Sequence, residues 1–288
     1  MTRIKHRSVV LGLALAALLV PGLAGGVPPA AAAARSAAVS SCDTVPEFLA
    51  VHGMNEGPDP TDPSKMDSTL LKDLDYAQNN LSGAVGYDPI SYHATSTGDL
   101  VTNPLNYRAT LAKAVQDGEN ALQEELTSYT PGCTPSQDKI VLVGYSMGAW
   151  VINKWLVDYS SEWKMIKGVL MYGDPCWSHS SDEGLARIFD LSGCMPASSY
   201  PAPVAGGKFR VPLREWCSGT PADPVCGLNF NARSSSANTN KQKTAAAKCA
   251  IPGSTCPHFD YWYAGASSSD LVEGAKYMVQ WLGVPELA

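Results

Sequence analysis

What this chain lacks narrows its chemistry at once. No cysteine precedes position 42 and no C-x-x-C pair occurs anywhere, so the ligand spacing of a structural zinc site is missing. Beyond the first thirty or so residues there is no apolar run of the roughly 20 residues that a membrane-spanning helix needs. Basic residues are not in excess: 21 Lys and Arg stand against 27 Asp and Glu, a formal charge of −6. An acidic chain has no electrostatic reason to bind nucleic acid. No internal repeat is visible, and no linker-like stretch divides the sequence in two.

The N-terminus is expected to lie outside the fold. Arg3, Lys5 and Arg7 are followed by an apolar stretch at 9–23, then by small residues at 30–34. The stretch is short and interrupted by glycine and proline, which fits a cleaved secretory signal peptide over 1–34 better than a membrane anchor. Residues 35–41 read as a flexible tail and 42–288 as a single domain. Cleavage removes three basic residues and no acid, leaving 18 basic against 27 acidic residues and a charge of −9. About 250 residues suffice for one α/β domain with a full core. The expected product is secreted, monomeric and without stable membrane insertion.

Eight cysteines remain after the signal, an even number that suggests disulfides in an exported chain. Spacing alone does not settle their pairing. Three short-range pairs fit, Cys176–Cys194, Cys217–Cys226 and Cys249–Cys256, which leaves Cys42 and Cys133.

The most informative residues are Gly144-Tyr145-Ser146-Met147-Gly148. An apolar run at 140–143 precedes them and an amphipathic run at 149–156 follows, so they read as strand, sharp turn and helix. G-x-S-x-G in that setting is a nucleophile elbow. The glycines permit a tight turn where a Cβ would clash. Ser146 is pushed out of the turn, and the following helix aims its N-terminus at the reacting carbon.

Elsewhere the pattern predicts strands at 45–51, 85–92, 166–172 and 209–216. Helices are expected at 68–81, 107–129 and 271–282, with Leu111, Val115, Leu122 and Leu126 sharing one face of the second. The elbow helix should reach about Tyr159. Residues 231–248 are polar and read as an exposed excursion. Strands alternating with helices argue for a mostly parallel sheet with helices on both faces.

A serine hydroxyl needs a base, and the base needs a carboxylate to hold its tautomer. In elbow-type enzymes the chain order is Ser, acid, His. Of five histidines, His6 leaves with the signal, and His52 and His93 precede Ser146. His258, shortly before the last helix, is the expected base, with His179 the weaker candidate. For the acid, Asp223 lies between Cys217 and Cys226, where a closed loop would hold it rigidly. Asp174, in Gly173-Asp174-Pro175 at a strand end, is its rival. The oxyanion hole should use the backbone N–H of Met147 and a second N–H from Met54, after the first strand, with the Asn55 side chain assisting.

These motifs together resemble the cutinase family of serine esterases over nearly all of the mature chain. The resemblance is carried by Gly-Tyr-Ser-x-Gly-Ala at 144–149, Asp223-Pro224-Val225-Cys226 in a small cysteine loop, and His258 before Phe259-Asp260-Tyr261. Cys42, paired with a cysteine ahead of the elbow strand (Cys133), is similar to the family as well. The family pattern departs at Met147, where many relatives have glutamine, and at Ala222, where glycine often precedes the acid. The resemblance implies a three-layer α/β-hydrolase with a five-stranded parallel sheet, often without a lid. It implies a Ser146–His258–Asp223 triad and an ester substrate: cutin, short acyl esters, triglyceride or acetylated xylan. No metal or organic cofactor is expected. Trp177, Met195, Tyr200 and Phe230 read either as an apolar rim or as core. A peptidase or thioesterase would use the same machinery, and a wall-binding protein without activity is the competing reading from another class.

Overall fold

The computed structural model describes residues 47–54, 86–95, 106–128, 139–179, 182–183, 186, 193–195, 211–217, 223, 225–226, 228–229, 258, 274, 276–277 and 280–281, all within one compact unit, Ser41–Ala288. The expected signal peptide, the helix at 68–81 and the excursion at 231–248 lie outside them. In chain order the strands are β1 (Glu47–Val51), β2 (Gly86–Pro89), β3 (Ile140–Tyr145), β4 (Gly168–Tyr172), β5 (Ser178–His179), β6 (Asp182–Glu183), β7 (Leu213–Trp216) and β8 (Leu228–Asn229). Among the described residues the longer helices are α1 (Tyr107–Ser128) and α2 (Met147–Asp158), and a 3-10 turn covers Ser160–Met165.

Five strands form a parallel sheet in the order β2-β1-β3-β4-β7. The chain therefore reverses its direction of travel across the sheet between β1 and β3. In open α/β sheets the crevice at the carboxyl ends of such a pair is where ligands bind. Strand β3 is buried along its whole length, the pattern of a parallel strand covered on both faces.

Alternation along the strands separates those faces. Leu49, Val51, Leu142, Val169, Met171 and Leu213 join one core cluster with Val115, Leu122 and Leu126 of α1 and most of α2. Phe48, Val141, Val143, Leu170 and Tyr172 are equally buried on the other face. There the helical residues Gly274 and Trp281 close in: a Cβ on Gly274 would meet the Tyr172 hydroxyl and one on Gly168 the Trp281 ring. Trp216 stacks on Tyr172 at 5.1 Å, and Tyr277 on Trp281 at 5.8 Å. The arrangement is thus a three-layer α/β fold with helices on both faces.

Several boundaries differ from the sequence expectation. β2 stops at Pro89, which has no N–H to continue a ladder, although Ile90 still donates to Ala50 O at 2.9 Å. β4 begins at Gly168 rather than 166 because the 3-10 turn runs to Met165. β7 is four residues long, not eight. Unexpected altogether is a small antiparallel sheet, β5-β6-β8, whose two-residue strands are too short to carry a periodicity.

Helix α2 is held from two sides. Lys154 Nζ lies 3.0 Å from Glu119 Oε2 of α1 and 2.5 Å from Asp158 Oδ2. Burial raises the Glu119 carboxyl above its usual range, an effect that the Lys154 ammonium opposes. On the sheet side, a Cβ at Gly148 would stand 1.8 Å from Val51 O, and one at Gly144 would stand 2.8 Å from the Ala149 backbone. Both glycines are therefore required by close approach of backbone to backbone. Gly148→Ala is expected to cost about 3 kcal/mol, the upper range for overpacking a core. That corresponds to a melting midpoint lower by about 6–12 °C at this chain length. Thermal denaturation followed by circular dichroism checks it, and an unchanged midpoint contradicts the close approach.

Candidate active site

β3 carries the chain to its carboxyl end and α2 takes it away, with Ser146 as the hinge. Ser146 has φ 55° and ψ −120°, the one positive φ outside glycine among the described residues. Such a conformation costs an L-residue on the order of 1–3 kcal/mol and persists only where its surroundings over-determine it. Those surroundings are visible. Ser146 N donates to Tyr172 O of β4 at 2.8 Å. Ser146 O accepts from Ala149 N at 3.1 Å and Trp150 N at 3.3 Å.

The Ser146 side chain faces His258, whose Nε2 lies 2.8 Å from Oγ. His258 Nδ1 lies 2.8 Å from Asp223 Oδ2. With the proton on Nδ1, the imidazole donates to the carboxylate and leaves Nε2 to accept the serine hydrogen. The other carboxylate oxygen, Oδ1, accepts from Val225 N at 2.7 Å, so Asp223 is fixed by its own turn. The Cys217–Cys226 disulfide, with Cα atoms 5.8 Å apart, brackets that turn. Asp223 is wholly buried, and Ser146 and His258 keep 9% and 7% of their surface exposed, so nucleophile and base reach the surface while the acid does not.

The rivals are occupied otherwise. Asp174 is wholly buried; its Oδ1 accepts from Cys176 N at 2.8 Å and its Oδ2 from Asn153 Nδ2 at 2.5 Å. Asn153 in turn accepts from Met195 N at 3.2 Å. Asp174 thus ties the Cys176–Cys194 disulfide segment to α2. His179 falls on β5, in register with Asp182. His52, at the end of β1, stacks on Tyr92 at 4.4 Å, and Tyr92 Oη donates to His52 O at 2.6 Å. His93 is exposed.

The two expected oxyanion donors follow the ends of adjacent strands. Val51 and Gly144 are register partners, and Met54 and Met147 each follow three residues later. Met147 opens α2, where a backbone N–H has no intrahelical acceptor. Its side chain is buried, while that of Met54 packs against the core from a half-buried position. Asn55 lies outside the described residues.

Cys176–Cys194 and Cys217–Cys226 are formed. Cys249, Cys256, Cys42 and Cys133 lie outside the described residues, as do Tyr200 and Phe230. Of the four residues considered for a rim, Met195 is core and Trp177 is half-buried against it. Among the described residues no cluster of three or more His, Cys, Asp or Glu side chains is placed to hold a metal ion, and no helix is long and apolar enough to cross a membrane.

Sequence reasoning missed three residues around the site. Tyr145 stacks on His258 and donates to its carbonyl, Tyr92 clamps the end of β1, and Asn153 partners Asp174. Position beside the nucleophile was the only signal Tyr145 gave.

A family model described as Cutinase matches residues 75–253, more than half of the sequence. The chain belongs to the cutinase family and is a carboxylic-ester hydrolase of α/β-hydrolase fold. Among solved structures it is similar to a cutinase-like protein from Cryptococcus sp., at 17% identity over 85% of this chain and 98% of that one, with a TM-score of 0.50. That likeness bears on the fold. Lysin B from Mycobacteriophage D29 matches at 13% identity over 84% of this chain and 90% of that one, with a TM-score of 0.41. Comparison with curated proteins gives no match.

Asp223 and Asp174 separate cleanly by substitution. Asp223→Asn keeps an acceptor for Val225 N but turns an amide toward Nδ1 and enforces the wrong tautomer. Its kcat is expected to fall by about 10⁴ with the fold intact. Asp174→Asn is expected to lower the melting midpoint and leave kcat within about threefold, because it disturbs buried hydrogen bonds to Asn153 and Cys176 N rather than one to the imidazole. Steady-state rates and melting curves on both variants check this; the reverse pattern would make Asp174 the orienting acid.

Proposed function

We propose that this protein is a secreted serine esterase that works through Ser146, His258 and Asp223 by way of an acyl-enzyme. The observation that carries the reading is the unbroken series of hydrogen bonds Ser146 Oγ, His258 Nε2, His258 Nδ1, Asp223 Oδ2, with both links 2.8 Å long. Nucleophile and base at that distance, with the base oriented by a third group, are what nucleophilic catalysis requires.

In the first half-reaction His258 Nε2 takes the Ser146 hydrogen as Oγ attacks the ester carbonyl. The carbonyl oxygen gains negative charge and is held by the N–H of Met147, with Met54 N–H as the second donor. One such donor is worth on the order of 10²–10³ in rate. The tetrahedral adduct collapses, and the alcohol leaves with the proton from Nε2. Water then attacks the acyl-serine, again losing its proton to Nε2, and the acid departs as Ser146 is restored. Asp223 holds the imidazole in its tautomer and stabilises the imidazolium formed on the way.

Export is supported by the charged, apolar and small-residue order of positions 1–34 and by the two disulfides. The substrate is an ester of lipid, polyester or acylated polysaccharide. A p-nitrophenyl ester series from acetate to palmitate tests the proposal, with Ser146→Ala alongside. The expected result is turnover on at least the short esters and a loss of about 10³-fold or more in Ser146→Ala, with an unchanged melting curve. Turnover in Ser146→Ala within a few-fold of wild type would sink it. A rate falling steeply beyond butyrate identifies a small-acyl esterase, such as one for acetylated polysaccharide; a rate sustained on long chains identifies a cutinase- or lipase-like pocket.

A further inference from the structure

We infer that Tyr145 is a positioning residue for the histidine base, holding the His258 imidazole in place by ring and hydroxyl together. The inference rests on the Ser146–His258–Asp223 reading above.

Tyr145 is the last residue of β3 and the immediate neighbour of Ser146. It is in register with Tyr172, on the face of the sheet opposite to α2. Only 1% of its surface is exposed. Two contacts join it to His258, a residue 113 positions further along the chain. Its hydroxyl donates to the His258 backbone carbonyl at 2.6 Å, and its ring stacks on the imidazole at 5.0 Å with 24° between the planes. Hence one strand end sets both partners of the proton transfer, Ser146 through the backbone and His258 through the Tyr145 side chain.

The geometry leaves a task for such a residue. The bond from Nδ1 to Asp223 fixes one point in the plane of the imidazole. About that point the ring can still tilt, and a tilt swings Nε2 away from Oγ. An aromatic face packed against the imidazole opposes the tilt, and a hydrogen bond to the carbonyl fixes the backbone from which the side chain springs. Displacements of about 1 Å in a catalytic group cost on the order of a hundredfold in rate. Groups that react need supporting contacts of this kind to hold them within about 0.5 Å. The plain alternative is that Tyr145 is core and its hydroxyl merely finds an acceptor, as buried tyrosines do.

Kinetics on the full chain distinguish the two. Tyr145→Phe removes the hydroxyl and Tyr145→Leu removes the ring as well. With p-nitrophenyl butyrate, Tyr145→Phe is expected to lower kcat about tenfold and Tyr145→Leu about a hundredfold, both with KM within about twofold. Should Tyr145→Leu not fold, Tyr145→Phe decides alone. A merely structural residue would move the melting midpoint without this split. The second reading is a double-mutant cycle with His258→Ala. If Tyr145 acts through the imidazole, adding Tyr145→Phe to His258→Ala changes the residual rate by less than about twofold. A wild-type kcat in Tyr145→Phe, or an equal loss in both backgrounds, overturns the inference while Ser146→Ala and His258→Ala keep only their small residual rates. If those two variants keep wild-type turnover instead, the triad reading fails and this inference falls with it.

Discussion

Val51 and Gly148 approach so closely that a single methyl group would have to occupy the space of the Val51 carbonyl oxygen, 1.8 Å away. That contact lets α2 start directly against the carboxyl end of β1, and it fixes where the chain must turn after β3. The turn then falls on Ser146, in a backbone conformation that an L-residue adopts only under constraint. Gly144 allows the same approach from the strand side. The hydrogen bond from Ser146 N to Tyr172 O closes the arrangement against β4. Three neighbouring strands and one helix therefore share the work of holding one strained residue.

The rest of the site follows from that placement. Because β1 and β3 flank the reversal of the sheet, the segments that follow them both leave from the carboxyl ends of adjacent strands. The first N–H groups of α2, which begins at Met147, have no acceptor further back within the helix. Asp223 and His258 come from distant parts of the chain and need their own anchors. The Val225 N–H and the Cys217–Cys226 disulfide hold the first, and Tyr145 touches the second.

How much of this could be read from the sequence depended on whether the signal was local. The apolar run of β3, the glycine spacing and the amphipathic stretch of α2 are local, and the observed elements begin and end within about two residues of their expected bounds. The order of strands is not local: β7 pairs with β4 across some forty residues, and nothing in either segment announces it. Two-residue strands leave no periodicity, so β5-β6-β8 was invisible. Asp223 is favoured over Asp174 for its place between Cys217 and Cys226, against a strand-end Gly-Asp-Pro. In space Asp174 is turned to Asn153 and Cys176 N, Asp223 to the imidazole. The contact from Tyr145 to His258 spans 113 residues and had no signature in the chain.

The central claim is that Ser146 is the nucleophile. The most direct measurement is treatment of the protein with a serine-directed phosphonate ester, followed by peptide mass spectrometry to find the modified residue. The account predicts a single covalent adduct on the peptide containing Ser146, formed with loss of ester turnover and absent in His258→Ala over the same time. An adduct on another serine, or full loss of turnover with Ser146 unmodified, would contradict it.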